Sequence, residues 1–326
     1  MRALRTLIFV IKIYMEERKY KNGNYVVTVH PDGSRTRVSE GDSFIPSSPE
    51  YIELKITEKY DGQYPWFGSN KVENPRDTKL MENELDPLFK YIKSINPMTE
   101  VTISGGYLDH PEILNTLFYF RKKNIPVNMI IGQDYFYGSE HKKYYRLLNW
   151  YKRKLISHLG VILIDSEDSE SLDRMEEFKN TTIIATAGIF NGLDLDNLES
   201  HRFNILIKGY YSSDNNKEYS EQNNIDFGFN KSWLVNKIDE EILPAFKTVT
   251  FDNLAISQLG IDDPRFTPAD EKIPLYLGND NEFSLYIDMV NSEFSNSPYS
   301  KEKYKIEDYM TSDRMFRELR KRRRLS

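Results

Sequence analysis

The chain has 326 residues, 39% of them hydrophobic and 29% charged, and its formal net charge at pH 7 is −6. Such a length can bury the core of one large α/β domain, and the acidic balance argues against a protein that binds nucleic acid over its whole surface. Cysteine is absent, which excludes disulfides, thiolate zinc sites, Fe–S clusters and cysteine nucleophiles. The five histidines show no HxH, HxxxH or HExxH spacing, so no histidine metal site is expected.

The first residues resemble a signal peptide only in part. An apolar run, Leu7–Tyr14, follows Arg2 and Arg5, but Lys12 interrupts it and no small-residue cleavage site comes after it. The run is also too short to cross a bilayer. We therefore expect a cytoplasmic protein without a membrane segment, in which these residues pack on the body or on a partner. Alternatively, they result from an upstream start codon, with Met15 as the original first residue.

A β-hairpin within residues 19–38 is the first predicted element. Tyr25–Val29 alternates as a strand, Pro31–Ser34 supplies turn residues and Thr36–Val38 returns. This pattern predicts a small antiparallel unit ahead of the main domain.

From Tyr51 onward, short apolar runs alternate with amphipathic helical stretches such as Leu85–Ile95 and Ile113–Phe120. An alternation at intervals of roughly 25–30 residues predicts right-handed βαβ units around a parallel sheet. The predicted strands are Tyr51–Thr57, Glu100–Ser104, Val127–Ile131, Gly160–Ile164, Thr182–Ala187, Asn204–Lys208 and Thr248–Phe251.

Six or seven such units fit a barrel better than a small doubly wound sheet. We predict an α/β fold, a partial (β/α)6-type TIM-like barrel with an N-terminal β-hairpin and a C-terminal α/β extension. Residues 1–50 are the predicted N-terminal extension and hairpin, 51–252 the barrel, and 253–326 a C-terminal extension that packs on the barrel. That extension holds a strand-like run, Phe283–Ile287, a predicted helix at 301–324 and a basic tail.

Function in βα barrels gathers at the loops that follow the carboxyl ends of the strands. The first such loop runs from Thr57 to Asn70, and the second, Ser104–Glu112, contains a Gly-Gly pair and then His110-Pro111. Together these loops resemble the radical S-adenosylmethionine (SAM) enzymes. In that superfamily a C-x3-C-x2-C motif after the first strand holds a 4Fe–4S cluster. A Gly-Gly-Glu-like motif followed by His-Pro comes after the second strand.

On that pattern the three cluster cysteines fall on Tyr60, Tyr64 and Phe67, and the Pro-aromatic pair between the last two persists as Pro65-Trp66. The chain is similar to phage-type radical SAM proteins from about Lys19 to about Tyr304. The further segments that carry this resemblance are Lys21–Tyr25, Ile52–Thr57, Phe251–Ile256 and Gly278–Asp288.

The resemblance implies a degenerate member that cannot bind the cluster, because a 4Fe–4S cluster needs thiolate ligands. The aromatic side chains at these positions either fill the space of the cluster or form a stacking platform. The resemblance also implies a SAM contact near Gly105, Gly106 and Tyr107, but the iron that anchors SAM is lost. We therefore expect no cofactor, and residual SAM binding stays open.

Other polar residues follow the predicted strands. They are Gln133, Asp134, Asp165, Asn191, Asp252 and Asn253, and they form a candidate polar site at the barrel mouth. Asp165 and Asp252, together with Asp280, allow a carboxylate cluster for acid–base work or a hard cation, and they equally suit helix caps and turns.

The C-terminus is locally basic. It offers two interpretations, a phosphate-binding segment or a solvated, frayed tail, and we expect no nucleic-acid partner except through this tail. The residues are Arg317, Arg320, Lys321, Arg322, Arg323 and Arg324.

These observations favour a radical SAM-like pseudoenzyme without an Fe–S cluster. It would be an interaction protein on a retained barrel scaffold, with a protein partner or an intact homologue as its ligand. The alternative is a repurposed, non-radical enzyme that binds SAM or another nucleotide-like small molecule at the barrel mouth. Deliberate removal of cysteines would more usually leave Ser or Ala than Tyr and Phe.

Overall fold

The structure is a computed structural model that describes residues 17–30, 35–41, 43–59, 76–77, 95, 98–104, 110–138, 141–163, 166–179, 181–186, 194–201, 203–209, 236–251, 255–256, 283–296, 300, 302–306 and 311–323. Its strands are β1 Arg18–Asn22, β2 Tyr25–Val29, β3 Arg35–Ser39, β4 Tyr51–Lys55, β5 Glu100–Ser104, β6 Val127–Gly132, β7 His158–Ile162, β8 Thr181–Thr186, β9 Asn204–Lys208, β10 Thr248–Phe251, β11 Ser284–Asp288, β12 Glu293–Ser295 and β13 Tyr304–Lys305. Its helices are α1 Ile113–Lys122, α2 His141–Lys152, α3 Ser169–Glu176, α4 Leu195–His201, α5 Leu243–Ala245 and α6 Ser312–Arg323. A 3-10 helix, Gln133–Phe136, follows β6, and a π-helical turn, Ile238–Ile242, precedes α5.

A three-stranded antiparallel sheet in the order β1-β2-β3 lies at the amino-terminal side of the described chain. The two predicted hairpin strands are β2 and β3, but β1 was missed, so the hairpin prediction was incomplete. Lys19 and Lys21 of β1 are exposed and only Asn22 is fully buried. Because β1 has no apolar alternation, its pattern carried no strand signal.

The main sheet has ten strands in the order β10-β9-β8-β7-β6-β5-β4-β11-β12-β13. From β4 to β10 every strand is parallel to its neighbour and follows it in the chain. The strand order runs in one direction from β4 to β10 and reverses at β4, whose other side pairs in parallel with β11, so the order alone does not separate a barrel from a doubly wound sheet. A large parallel α/β sheet is thus confirmed. Closure into a barrel stays a prediction, since within the described residues the edge strands β10 and β13 do not pair.

The strand bounds agree closely with the predictions. Glu100–Ser104, Asn204–Lys208 and Thr248–Phe251 match to the residue. The largest difference is at β7, which starts at His158 instead of Gly160. A histidine at a strand start carries no apolar signal, and its place in the sheet depends on its pairing with Asn128.

Alternate side chains of the parallel strands form one apolar core with the helices. Ile52 and Leu54 of β4 are fully buried in this core together with Leu117 and Phe120 of α1. Since side chains of a strand alternate between the two faces of its sheet, the opposite face carries the remaining set, which includes Glu53 and Lys55. We call that opposite side the polar face.

The C-terminal strands extend the sheet beyond β4. β11 pairs with β4 in parallel, and β12 and β13 follow antiparallel. Helix α6 then begins at Ser312, later than the predicted start at 301, because β13 occupies part of the predicted span. Thr311 caps it by accepting the backbone N–H of Arg314 at 3.3 Å. The frayed-tail interpretation was therefore wrong as far as Arg323.

A buried group of charges joins the small sheet to the amino ends of β4 and β5. Arg37 donates two hydrogen bonds to Glu50, at 2.9 and 3.1 Å. Arg35 bridges Glu50 at 3.4 Å and Glu100 at 2.7 Å, and its side chain is 0% exposed. We call Arg35, Arg37, Glu50 and Glu100 the amino-end cluster. Burial alone would raise the pKa of Glu100, but the attraction of Arg35, together with smaller contributions from Arg18 and the hydrogen bond from Asn128, lowers that pKa.

A hydrogen-bond relay extends the amino-end cluster to β7. Asn128 donates to Glu100 at 3.2 Å, and its carbonyl oxygen contacts His158 Nδ1 at 2.8 Å. The amide orientation of Asn128 therefore makes Nδ1 the protonated nitrogen of a neutral His158. Burial lowers the pKa of His158 below its ordinary value of 6.5, against the attraction of Glu100.

This lowered pKa predicts a loss of stability in mild acid. The unfolded chain binds the His158 proton first, so the free energy of unfolding falls as the pH drops below 6.5, by at most about 1.4 kcal/mol per pH unit. Urea unfolding at a series of pH values measures the slope. The His158→Gln variant should flatten it. An unchanged slope in His158→Gln would contradict the assignment.

Candidate functional site

A row of polar side chains crosses the polar face. Glu53 of β4 is the register partner of Tyr286 on one side and of Thr102 on the other. Thr102 pairs in turn with Asn128, and Asn128 with His158. Glu53 is 9% exposed, Thr102 2% and Asn128 0%. Parallel strands that are covered on both faces are usually apolar throughout, so this buried row of polar side chains is unusual.

Three threonine hydroxyls on this face are buried without a hydrogen-bond partner. The Oγ1 atoms of Thr102, Thr182 and Thr250 have no partner among the described residues, and these side chains are at most 2% exposed. Buried polar atoms in proteins are nearly always satisfied, since an unsatisfied one costs about 1–3 kcal/mol. Three such atoms on one face are groups that a bound polar ligand would satisfy.

A charged pair lies where β4 and β11 end. Lys55 Nζ contacts Asp288 Oδ2 at 3.0 Å. Asp288 is 1% exposed and also accepts from Asn291 Nδ2 at 2.8 Å and from the backbone N–H groups of Val290 and Asn291 at 3.0 Å. Burial opposes ionisation, but the hydrogen bonds from Asn291 and Lys55 outweigh it and lower the pKa of Asp288. The ionised Asp288 and the neighbouring Lys55 thus lie together at this edge of the sheet.

The two stems of the predicted cluster loop are joined to each other. Glu58 accepts two hydrogen bonds from the Arg76 guanidinium, at 2.8 and 2.9 Å. Thr57 Oγ1 donates to Asp77 at 2.6 Å, and Lys59 forms an ion pair with Asp77. The hydrogen bond from Arg76 lowers the pKa of Glu58 to about 2. The chain therefore leaves β4 and returns at nearly the same place.

His110 lies just before α1 and accepts two backbone hydrogen bonds there. Its Nδ1 accepts the backbone N–H of Glu112 at 3.1 Å, and its carbonyl oxygen accepts the N–H of Ile113 at 3.2 Å. The ring is 2% exposed. The predicted helix start after His110-Pro111 is therefore present, at Ile113, with this imidazole serving local structure.

Gln133 and Asp134 come directly after β6, as predicted. Gln133 is 0% exposed, and its Nε2 donates to Ser171 Oγ at 3.0 Å, which ties the 3-10 helix to the first turn of α3. Asp134 is half-buried in the same 3-10 helix. For Gln133 the interpretation as a structural turn residue accounts for the observed contact.

Most other predicted site positions lie outside the described residues. Two of the segments that hold them follow β4 and β5, neighbouring parallel strands whose carboxyl ends lie at one edge of the sheet. The positions concerned are Tyr60, Tyr64, Phe67, Gly105, Gly106, Tyr107, Asp165, Asn191, Asp252, Asn253 and Asp280.

A second cluster, at the surface, escaped the sequence analysis. Ligand atoms of Asp173, Glu176 and His201 lie within 4.8 Å of one another. His201 Nε2 is 3.1 Å from Asp173, and the imidazole stacks on Phe203 at 5.6 Å. Asp173 and Glu176 are exposed, and exposed ion pairs of this kind contribute little. We read the cluster as a contact between α3 and α4.

The polar face could have been found from one signal. Parallel strands covered on both faces are usually continuous apolar runs, whereas β4 alternates, with Glu53, Lys55 and then Thr57 between apolar residues. The partners of Glu53 depend on strand register, which no local pattern contains.

No protein-family model matches the chain, and no curated protein is similar to it. Among solved structures, the chain is similar to Streptococcus suis SuiB bound to S-adenosylmethionine, with a TM-score of 0.45 and 10% sequence identity. The similarity covers 80% of this chain and 64% of SuiB. The chain thus spans less than two thirds of the length of that protein. Among the described residues, no helix is long and apolar enough to span a bilayer.

Proposed function

We propose that this chain is a radical SAM-like protein that has no Fe–S cluster and works by binding, not by radical chemistry. The single observation that supports the proposal is which side chains are present to bind a cluster. The chain has no cysteine, and a 4Fe–4S cluster is held by thiolates. The residues present therefore do not fit the cluster that the resemblance implies, and no reaction step can depend on it.

The retained frame supports loss of the cluster over loss of the whole site. Seven parallel strands keep their sequential order, and the stems at Glu58–Lys59 and Arg76–Asp77 still close the loop that carries the cluster positions. A chain without selection on its fold would not keep buried ion pairs such as those of Arg35, because a buried charge without its partner is strongly destabilising.

Anaerobic reconstitution with iron and sulfide tests the proposal. We expect the purified protein to take up no stoichiometric iron and to show no sulfur-to-iron charge-transfer absorbance. The matched variant Tyr60→Cys/Tyr64→Cys/Phe67→Cys restores the thiolates and should gain both signals. A stoichiometric cluster in the unaltered chain would overturn the proposal. Failure of the triple variant to bind iron would overturn the assignment of the three positions.

A second candidate function is favoured by the polar face, namely the binding of a small polar molecule there. The orphan hydroxyls of Thr102, Thr182 and Thr250, which lie on β5, β8 and β10 of the face that also carries Glu53, are the groups that such a ligand would contact. A preformed polar pocket fixes its ligand through a few convergent groups of this type. The resemblance makes SAM and other nucleotide-like molecules the first compounds to test.

A thermal-shift screen with SAM, S-adenosylhomocysteine, nucleotides and divalent cations tests this candidate. A ligand at a hundred times its dissociation constant adds about 2.7 kcal/mol to the free energy of unfolding. The variant Thr182→Val should lose part of that shift. In the free protein the same variant should be as stable as the original or more stable by about 1 kcal/mol, because a buried unsatisfied hydroxyl is removed. A clear loss of stability in the free variant would contradict the unsatisfied state of Thr182.

A further inference from the structure

Helix α6 has two unlike faces. Met315, Phe316 and Leu319 are buried in the main core, at 0–3% exposure. Arg314, Arg317 and Lys321 are exposed, and their i, i+3, i+7 spacing places them along one side of the helix. We call these three residues the basic stripe. Docking of the apolar side therefore fixes a row of cations on the protein surface.

Within the described part of the chain, no carboxylate neutralises the basic stripe. Among the described residues, no carboxylate forms an ion pair with any of the three side chains, and the one side-chain hydrogen bond is from Arg317 Nε to the Asp313 carbonyl at 3.2 Å. Other exposed cations do pair, such as Lys305 with Glu293 at 2.7 Å. The stripe thus differs from an ordinary solvated surface, in which both signs of charge alternate.

Helix stability explains only part of the stripe. Lys321 lies in the last turn of α6, where a cation is favourable to the helix dipole. Arg314 lies in the first turn, where a cation is unfavourable by about 0.3–1 kcal/mol. Arg317, in the middle, gains nothing from either end. The helix dipole therefore accounts for only one of the three charges.

The charge distribution points to an anionic partner rich in phosphate. The twelve residues of α6 contain six Arg or Lys and two Asp or Glu, although the whole chain has a net charge of −6. Most of these cations are arginines, whose planar guanidinium group matches phosphate better than an ammonium group does. A lipid surface fits less well, because the apolar side chains that would enter a membrane are packed in the protein core.

We propose that the basic stripe binds the phosphate backbone of nucleic acid without reading its sequence. Arg314 and Lys321 are separated by about 10 Å along the helix axis, which matches the rise of about three nucleotides in one strand of a duplex. Contacts to phosphate position a protein on nucleic acid but carry no sequence information. This inference is independent of the polar face and of any ligand there.

Fluorescence anisotropy with a labelled DNA duplex of mixed sequence tests the proposal. Three phosphate contacts predict that affinity falls about 40-fold between about 50 and 200 mM salt. The variant Arg314→Glu/Arg317→Glu/Lys321→Glu should lose measurable binding. The control Arg121→Glu/Lys122→Glu/Lys142→Glu changes the net charge equally at exposed positions of α1 and α2 and should keep most of the affinity. Thermal melting of both variants should show that each remains folded.

Three outcomes would overturn the proposal. The first is absence of salt-dependent binding by the unaltered chain. The second is an equal loss of affinity in both triple variants, which would indicate an effect of net charge only. The third is binding to vesicles of anionic phospholipid that is as tight as binding to the duplex and equally sensitive to the stripe variant, which would identify a membrane surface as the partner.

Discussion

Replacement of Arg35 by methionine is expected to lower the free energy of unfolding by about 3–5 kcal/mol. Arg35 is 0% exposed and contacts both Glu50 and Glu100, which are themselves buried. Its guanidinium also lies over the Tyr51 ring at 4.0 Å. The methionine side chain preserves part of the packing but leaves Glu100 buried without its nearest cation. Urea denaturation measures the effect.

Arg18→Met is the matched control for this substitution. Arg18 faces the same Glu100, but at 3.8 Å and with a side chain that is 30% exposed. Exposed pairs contribute about 0–1 kcal/mol, so the control should change stability little. Equal effects of the two substitutions would show that burial of the amino-end cluster is not what makes Arg35 important. The Arg35→Met variant should also destabilise β1 to β3 first, which hydrogen exchange of their backbone amides can detect.

Replacement of Phe316 by alanine is the second large effect, again about 3–5 kcal/mol. Phe316 is 2% exposed and belongs to the same core as the strands and the other helices. The loss should therefore appear in the global unfolding transition and not only at the C-terminus. Phe118→Ala provides the control, since Phe118 is 36% exposed and surface changes usually stay within about 0.5 kcal/mol. If Phe316→Ala melted α6 alone and left the main transition unchanged, α6 would not be part of the cooperative core.

Sequence patterns predicted the strands of the main sheet because each buried strand is a local apolar run. The alternation of Ile52, Leu54 and Ile56 is visible without any knowledge of the fold. β1 was missed, since its alternating lysines face solvent and its contribution lies in pairing with β2. The start of α6 was placed too early, although Thr311, which caps the helix, is a residue type typical of helix N-termini.

The contacts of the candidate site were harder to predict, because they join residues that lie far apart in the sequence. Glu53 meets Tyr286 through strand register, and Glu58 meets Arg76 across an intervening loop. Neither contact follows from spacing or composition. Gln133 was predicted at the correct place, yet its role in holding Ser171 depends on a helix that begins 36 residues later. Residue types were readable from the sequence, but their partners required the fold.

The joined stems after β4 also bear on how freely the connection between them can vary in length. Sixteen residues, Tyr60–Pro75, lie between Lys59 and Arg76, and the ion pairs at the two ends hold whatever sequence connects them. Doubling the length of a flexible loop costs only about 0.6 kcal/mol in closure entropy. A change in the length of this connection therefore costs the protein little as long as the ion pairs at its two ends are kept.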